Sequence, residues 1–230
     1  MNQRNQIAII RDGNGRWGMK KKKSRNFGHL KGVDTVKKIV SYAIKLKIPI
    51  VTFYVFSSEN WRRPKKEISF LFKLIKRYFT DEIERVISQG IKINIIGDIK
   101  KLSSDIKKTL NETIELTKKN KSITVNLAIN YGSKNEILNA INNTKKKTTL
   151  KNFEKKLYTN NMPDPDILIR TGGYSRLSDF IIYPSTFTEL FFTSKLWPDL
   201  TKNDLSNILG SSESQATYDL PDVQVCLGIT

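Results

Sequence analysis

One cysteine, one histidine and the lack of any long apolar run set the first limits on this 230-residue chain. Cys226 alone cannot close an internal disulfide, and it has no companion of its own kind to hold a metal, so a disulfide framework and a cysteine-based zinc site are both excluded. The same scarcity fits a reducing, cytosolic setting. No apolar stretch approaches the roughly 18 residues of a transmembrane helix, and no signal peptide opens the sequence. Acidic residues are also sparse, 22 against 40 basic ones, for a formal charge of +18. That excess favours anionic partners such as nucleic acid, an anionic membrane surface or phosphorylated substrates. Much of it, however, sits in lysine runs, Lys20–Lys23, Lys145–Lys147 and Lys155–Lys156, amid many Asn and Ile residues. Compositional bias accounts for most of those runs, and no recognition-helix, zinc-finger or aromatic RNA-binding motif accompanies them.

What is present is alternation. Strand-like apolar runs occur at Ile7–Ile10, Ile50–Phe56, Ile91–Ile96, Ile123–Ile129 and Asp166–Arg170. Between them lie segments with helical spacing. One apolar face runs through Val36, Ile39, Val40, Ala43 and Ile44, and another from Leu71 through Leu74, Ile75, Tyr78, Phe79 and Ile83 to Val86. Ile106–Thr117 and Ile137–Ile141 suggest two more. Strands alternating with helices predict an α/β class, a single domain with a central, mainly parallel sheet flanked by helices. Ligands in such sheets sit at the carboxyl ends of the strands. Three polar clusters fall there: Asp12–Arg16, Ser57–Pro64 and Arg170–Gly173.

The first cluster is the most telling. A buried strand, Ile7–Ile10, delivers an acid, and Gly13-Asn14-Gly15 reads as a tight, permissive turn followed at once by Arg16. An acid, bare backbone N–H groups and a cation at one point suit a phosphate and its metal ion, and a helix beginning beyond the turn would add positive potential. Taken singly, each residue has a plainer reading: Asp12 as a solvent-facing acid, His29 as a structural histidine, Trp61 and Trp197 as core anchors, Arg170 as a loop cap, Glu189 as a strand-end charge.

Together the blocks are specific. Asp12-Gly13-Asn14-Gly15-Arg16-Trp17, Phe56-Ser57-Ser58-Glu59-Asn60-Trp61 with Arg63-Pro64, Asn130-Tyr131-Gly132, Ile169-Arg170-Thr171-Gly172-Gly173, Glu189-Leu190-Phe191-Phe192 and Leu196-Trp197-Pro198 occur in this order. In that order they resemble the cis-prenyltransferases, of the undecaprenyl diphosphate synthase type, over roughly residues 6–209. The resemblance implies condensation of isopentenyl diphosphate onto an allylic diphosphate such as farnesyl diphosphate, giving a long polyprenyl diphosphate, the precursor of a lipid carrier. It implies that Gly13, Asn14, Gly15 and Arg16, with Arg25 and His29, grip the allylic diphosphate, with Trp17 beside them. Asp12, helped by Glu189, would hold Mg2+, a hard ion that takes carboxylate, phosphate and water oxygens. Arg170, Arg176 and Ser178, with Leu177 between, match the isopentenyl diphosphate site, where an arginine fork pairs with phosphate oxygens. Asn60 matches a residue tied to proton removal, with Ser57, Ser58, Glu59, Trp61 and Arg63 around it. An amide is a poor base, so Asn60 is read as orienting substrate. Glu67 would order a mobile loop over residues 57–70. The apolar faces at Val36–Ile44 and Leu71–Val86 are candidate channel walls, and each buried isoprene unit would contribute roughly 3–4 kcal/mol.

The resemblance further implies a homodimer, and a cytoplasmic enzyme whose lipid product brings it to the membrane face, where a basic surface suits an anionic leaflet. The pattern departs from the family at Arg11, in place of an apolar residue, and at Tyr174 and Ser175, where Glu and His are common. Residues 210–230 read as an atypical acidic, disordered tail: Ser211–Thr230 holds Glu213, Asp219 and Asp222 and no base. The arginine that the family supplies from its last segment has no counterpart after Lys202. A catalytically weak member acting as a partner subunit, and a basic nucleic-acid-binding protein, are the alternatives to an active transferase.

Overall fold

A computed structural model describes residues 4–145 and 147–215. Six strands form one sheet: β1 (Gln6–Ile10), β2 (Ile50–Ser57), β3 (Ile91–Ile96), β4 (Ile123–Tyr131), β5 (Ile167–Arg170) and β6 (Glu189–Phe192). Their spatial order is β3-β4-β2-β1-β5-β6 and every pairing is parallel. The α/β expectation therefore holds, and five strands fall where the apolar runs place them. The sixth is too short and too exposed on one side to stand out as an apolar run. Its burial alternates residue by residue, as expected of an edge strand.

The helices are α1 (Asn14–Lys20), α2 (Arg25–Lys45), α3 (Lys65–Asp81), α4 (Ile83–Ser88), α5 (Ser104–Thr117), α6 (Ser133–Asn142), α7 (Leu150–Glu154) and α8 (Lys202–Gln215). Two expectations are corrected. The face from Leu71 to Val86 is not one helix but two, broken at Glu82, whose carboxylate is held by Lys37 of α2 at 2.5 Å and by Arg85 at 3.6 Å. Residues 57–70 are not an open loop: Ser58–Arg62 form a 3-10 turn and α3 begins at Lys65. Helix α8 runs to Gln215 and so takes in the first residues of the segment read as a tail. The remainder of the tail, 216–230, lies outside the described residues.

Period-two alternation sorts the strands between two cores. Ile7, Ile9, Val51, Phe53, Ile93, Val125, Leu127, Ile167 and Ile169 face α2, α3 and α5, whereas Ala8, Ile10, Ala128 and Leu168 face Phe180 and Ile181. The chain leaves β1 toward β2 and leaves β5 toward β6, on opposite sides. The β1/β5 boundary is thus the point where the strand order diverges, the usual place for a ligand crevice. Asp12 follows one of these strands and Arg170 ends the other.

Candidate active site

Asp12 is fixed before it does anything chemical. Its backbone oxygen accepts from Trp197 N at 3.0 Å and from Thr171 Oγ1 at 2.8 Å, so two other loops hold the end of β1 in place. Its carboxylate, 28 % exposed, receives Arg16 on Oδ1 at 3.2 Å and Arg170 on Oδ2 at 3.0 Å. The expected Gly13–Gly15 turn is tighter than a turn. Gly13 alone is left-handed, with φ of 104°, and α1 starts directly at Asn14. A Cβ on Gly13 would lie 2.7 Å from Leu196 Cδ2, so both conformation and space exclude a side chain. The first-turn N–H groups at Asn14, Gly15 and Arg16 have no helical carbonyl to meet.

Helix α1 lies against α2 closely enough that a Cβ at Gly28 would come within 1.8 Å of the Asn14 backbone oxygen. That approach brings His29 into the cavity mouth, while Arg25 and Arg63 converge on Glu67. Glu67 Oε2 accepts from Arg25 Nε at 3.2 Å, and Oε1 accepts from Arg63 at 3.1 Å and lies 3.4 Å from His29 Nε2. Burial pushes the Glu67 carboxyl up, but the Arg25 hydrogen bond and the charges of Arg25 and Arg63 outweigh it and hold the group below its usual range. His29 is lowered as well: burial, then the charge of Arg63, bring it to about 4, so it is neutral at pH 7 and carries one N–H to donate.

Ser57, Glu59 and Asn60 line the same cavity from the end of β2. Asn60 Oδ1 accepts from the Ser57 backbone N–H at 3.2 Å, which leaves its amide N–H groups available for a ligand. Trp61 turns away from the cavity. It stacks near Phe56 and Phe72, and Nε1 donates to Asn130 at 2.8 Å, so it anchors the turn. Trp17 is likewise outside, against Phe27 with Nε1 on Asp199. Ser58 is packed against Gly132, which has no room for a Cβ.

Arg170 is 4 % exposed and spans the crevice. Besides Asp12 it reaches the Arg176 carbonyl at 2.5 Å and Ser178 Oγ at 2.6 Å. Ser178, Asp179 and Ile181 all adopt positive φ, a cluster of strained backbone of the kind found at functional sites. Leu177 packs into the smaller core beneath it. Sequence reasoning missed Tyr174. Its ring collects three guanidiniums, Arg16 at 5.0 Å, Arg170 at 5.7 Å and Arg176 at 4.3 Å, and so ties the β1 cluster to the β5 cluster.

Behind this polar mouth runs an apolar cavity of roughly 300 Å³, walled by Val33, Val36 and Val40 of α2 and Leu71, Leu74 and Ile75 of α3. Both candidate walls are therefore in place. Tyr78, Lys37 and Arg85 add a second polar group to its lining, brought together because Lys37 of α2 and Arg85 both reach Glu82 at the α3/α4 break.

Glu189 is not at this mouth. It pairs in register with Ile167 at the start of β5, whereas Asp12 lies five residues past the matching level of β1, about 16 Å along the strands. The parallel register places the two acids at opposite ends of the sheet within one chain. Among the described residues no three His, Cys, Asp or Glu side chains gather as a metal cluster.

The sequence model of the family described as "Putative undecaprenyl diphosphate synthase" matches residues 10–217. An isoprenyl transferase of Helicobacter pylori is 42 % identical over 212 residues, covering 88 % of this chain and 91 % of that protein. One of Rickettsia typhi is 39 % identical over 217 residues, covering 92 % and 96 %. The crystal structure of lavandulyl diphosphate synthase from Lavandula x intermedia, in complex with dimethylallyl diphosphate, superposes with a TM-score of 0.87 at 31 % identity, covering 91 % of this chain and 95 % of that one.

Proposed function

Because this chain belongs to the undecaprenyl diphosphate synthase family and is an enzyme that transfers prenyl groups, we propose that it joins isopentenyl diphosphate to an allylic diphosphate at the β1/β5 crevice. The observation that carries this reading is the arrangement of two arginine clusters around Asp12 at the head of an apolar cavity. A prenyl tail occupies the cavity and its diphosphate lies at the polar mouth.

In the reaction, the allylic C1–O bond breaks, C4 of isopentenyl diphosphate bonds to C1, a proton leaves C2, and diphosphate is released. Arg16, Arg25, Arg63, neutral His29 and the first-turn N–H groups of α1 are suited to the allylic diphosphate, and they stabilise charge as it develops on the leaving group. Arg170, Arg176 and Ser178 are suited to the isopentenyl diphosphate. The Asn60 amide orients the acceptor near the departing proton, because its own carbonyl is committed to Ser57. Asp12 fits Mg2+, since this ion binds through one or two carboxylates and completes its shell with phosphate and water. When bound, magnesium neutralises the leaving diphosphate. Glu189 has no part in that site within one chain.

Two further readings belong to the same proposal. Among the described residues no helix is long and apolar enough to cross a membrane, so a lipid product calls for peripheral contact. The edge strand β6 exposes Leu190 and Phe192, and Phe187 beside it is 91 % exposed, which supports pairing with a second copy. Incubation with farnesyl diphosphate, labelled isopentenyl diphosphate and magnesium, followed by lipid extraction, tests the central reading. Labelled chains that vanish in Asp12→Ala are expected. No product, combined with tight and salt-sensitive nucleic-acid binding, would overturn it.

A further inference from the structure

Five cationic side chains line the cavity, and four of them meet an acid. Lys37 and Arg85 meet Glu82, Arg63 meets Glu67, and Arg170 meets Asp12. The fifth, Arg11, has no carboxylate within ion-pair distance among the described residues. Alternation along β1 puts Arg11 on the face of Ile7 and Ile9, the face that packs against α2 and α3. The side chain is therefore aimed at the channel and not at bulk water. Its Nε donates to the Tyr54 carbonyl at 3.3 Å, and its guanidinium carbon lies 5.8 Å from the centre of the Phe53 ring. No described residue accepts from its two terminal nitrogens. A guanidinium keeps its charge at neutral pH.

A half-buried guanidinium lacking a counter-charge weakens a fold. Such a cost is retained at functional sites, where a ligand supplies what the protein withholds. The position selects the ligand. Arg11 adjoins Asp12 in the chain, its charge is felt by His29, and it sits where the polar mouth turns into the apolar channel. Arg176 and Ser178 stand on the β5 side of the crevice. We propose that Arg11 is a substrate-binding residue whose terminal nitrogens take diphosphate oxygens of the allylic substrate, next to the first carbons of its tail. This deepens the prenyl-transfer reading and rests on it.

The test is the Arg11→Met variant, which keeps length and removes charge. Binding of farnesyl diphosphate, measured by calorimetry without isopentenyl diphosphate, should weaken about tenfold, the least that loss of a charge-assisted hydrogen bond produces. In turnover, KM for farnesyl diphosphate should rise about as much while KM for isopentenyl diphosphate stays within about twofold. The melting temperature should hold or rise, since an unpaired, half-buried charge has gone. A merely structural arginine would give the reverse, a lower melting temperature with unchanged affinity. Equal farnesyl diphosphate affinity in the two proteins overturns the proposal, also when neither binds. Failure of the prenyl-transfer reading looks different: wild-type protein that makes no labelled product yet still binds farnesyl diphosphate in an Arg11-dependent manner.

Discussion

Arg170 reaches Asp12 across the β1/β5 boundary, Nη2 to Oδ2 at 3.0 Å, and with the same guanidinium holds Ser178 and the Arg176 carbonyl. One buried side chain thereby links the acid of the first strand to the loop after the fifth. Replacing Asp12 with Asn keeps the shape but removes the charge that two arginines share. Turnover should fall by roughly 10²–10³, the usual effect of deleting one electrostatic element of such a site, and steady-state assays across a magnesium titration would show it. Retention of most activity would remove Asp12 from the proposed mechanism.

Tyr174 should matter through its ring and not its hydroxyl. Each cation–π contact at a half-exposed site contributes about 0.5–1 kcal/mol, and three arginines share this ring. Through its contacts to Arg170 and Arg176, Tyr174→Ala should therefore raise KM for isopentenyl diphosphate about 5- to 30-fold, whereas Tyr174→Phe should leave it nearly unchanged. Kinetics of the two variants side by side decide the point.

The Glu67 cluster gives stability a pH dependence. His29 is lowered in the fold from 6.5 to about 4, so between those values the unfolded chain holds a proton that the native one does not. Stability consequently rises with pH through that window and is lost on acidification, by roughly 3 kcal/mol in all. Glu67, also held below its ordinary range, loses its contribution in the same direction as pH falls through its lowered value. Urea unfolding at pH 7, 5.5 and 4 should show the decline, and His29→Asn should flatten the part above pH 4. A wild-type profile that is already flat would contradict a neutral, buried His29.

Gly28 is predicted to tolerate no side chain. With the Asn14 oxygen 1.8 Å from its would-be Cβ, Gly28→Ala must push α1 away from α2, at about 1–3 kcal/mol as for other overpacked sites. The urea midpoint should drop, and KM for the allylic substrate should rise with it, because His29 and the α1 N-terminus move apart. Gly210→Ala is the control: no atom lies within 4 Å of a Cβ there.

Much of this was legible in the chain. The apolar runs at 7–10, 50–56, 123–129 and 166–170 mark interior strands, which are buried on both faces and need near-continuous apolar sequence, and the edge strand at 91–96 keeps enough isoleucine to show as well. Strand β6 escaped because it has four residues, begins with an acid and alternates between half-buried and exposed positions. Asp12, Asn60 and Arg170, which line the cavity, were legible because three polar clusters follow three strands, and parallel strands present their carboxyl ends together; His29, inside α2, was singled out only by the family resemblance. Trp17 and Trp61 belong to the same motifs yet serve as anchors, since a motif records order along the chain and not the direction of each side chain.

The sequence by itself determined the alternation of strands and helices, the Asp12–Arg16 and Arg170–Gly173 clusters and the apolar stripes that wall the cavity, because these depend on local periodicity and on glycine. Tertiary structure alone decided which charges are paired. It placed Glu189 at the far end of the sheet, broke the helix at Glu82 where Lys37 meets it, gathered three arginines on Tyr174, and left Arg11 without an acid. Those outcomes depend on strand register and on the approach of α2 to α3, distances between residues far apart in sequence that no local pattern encodes.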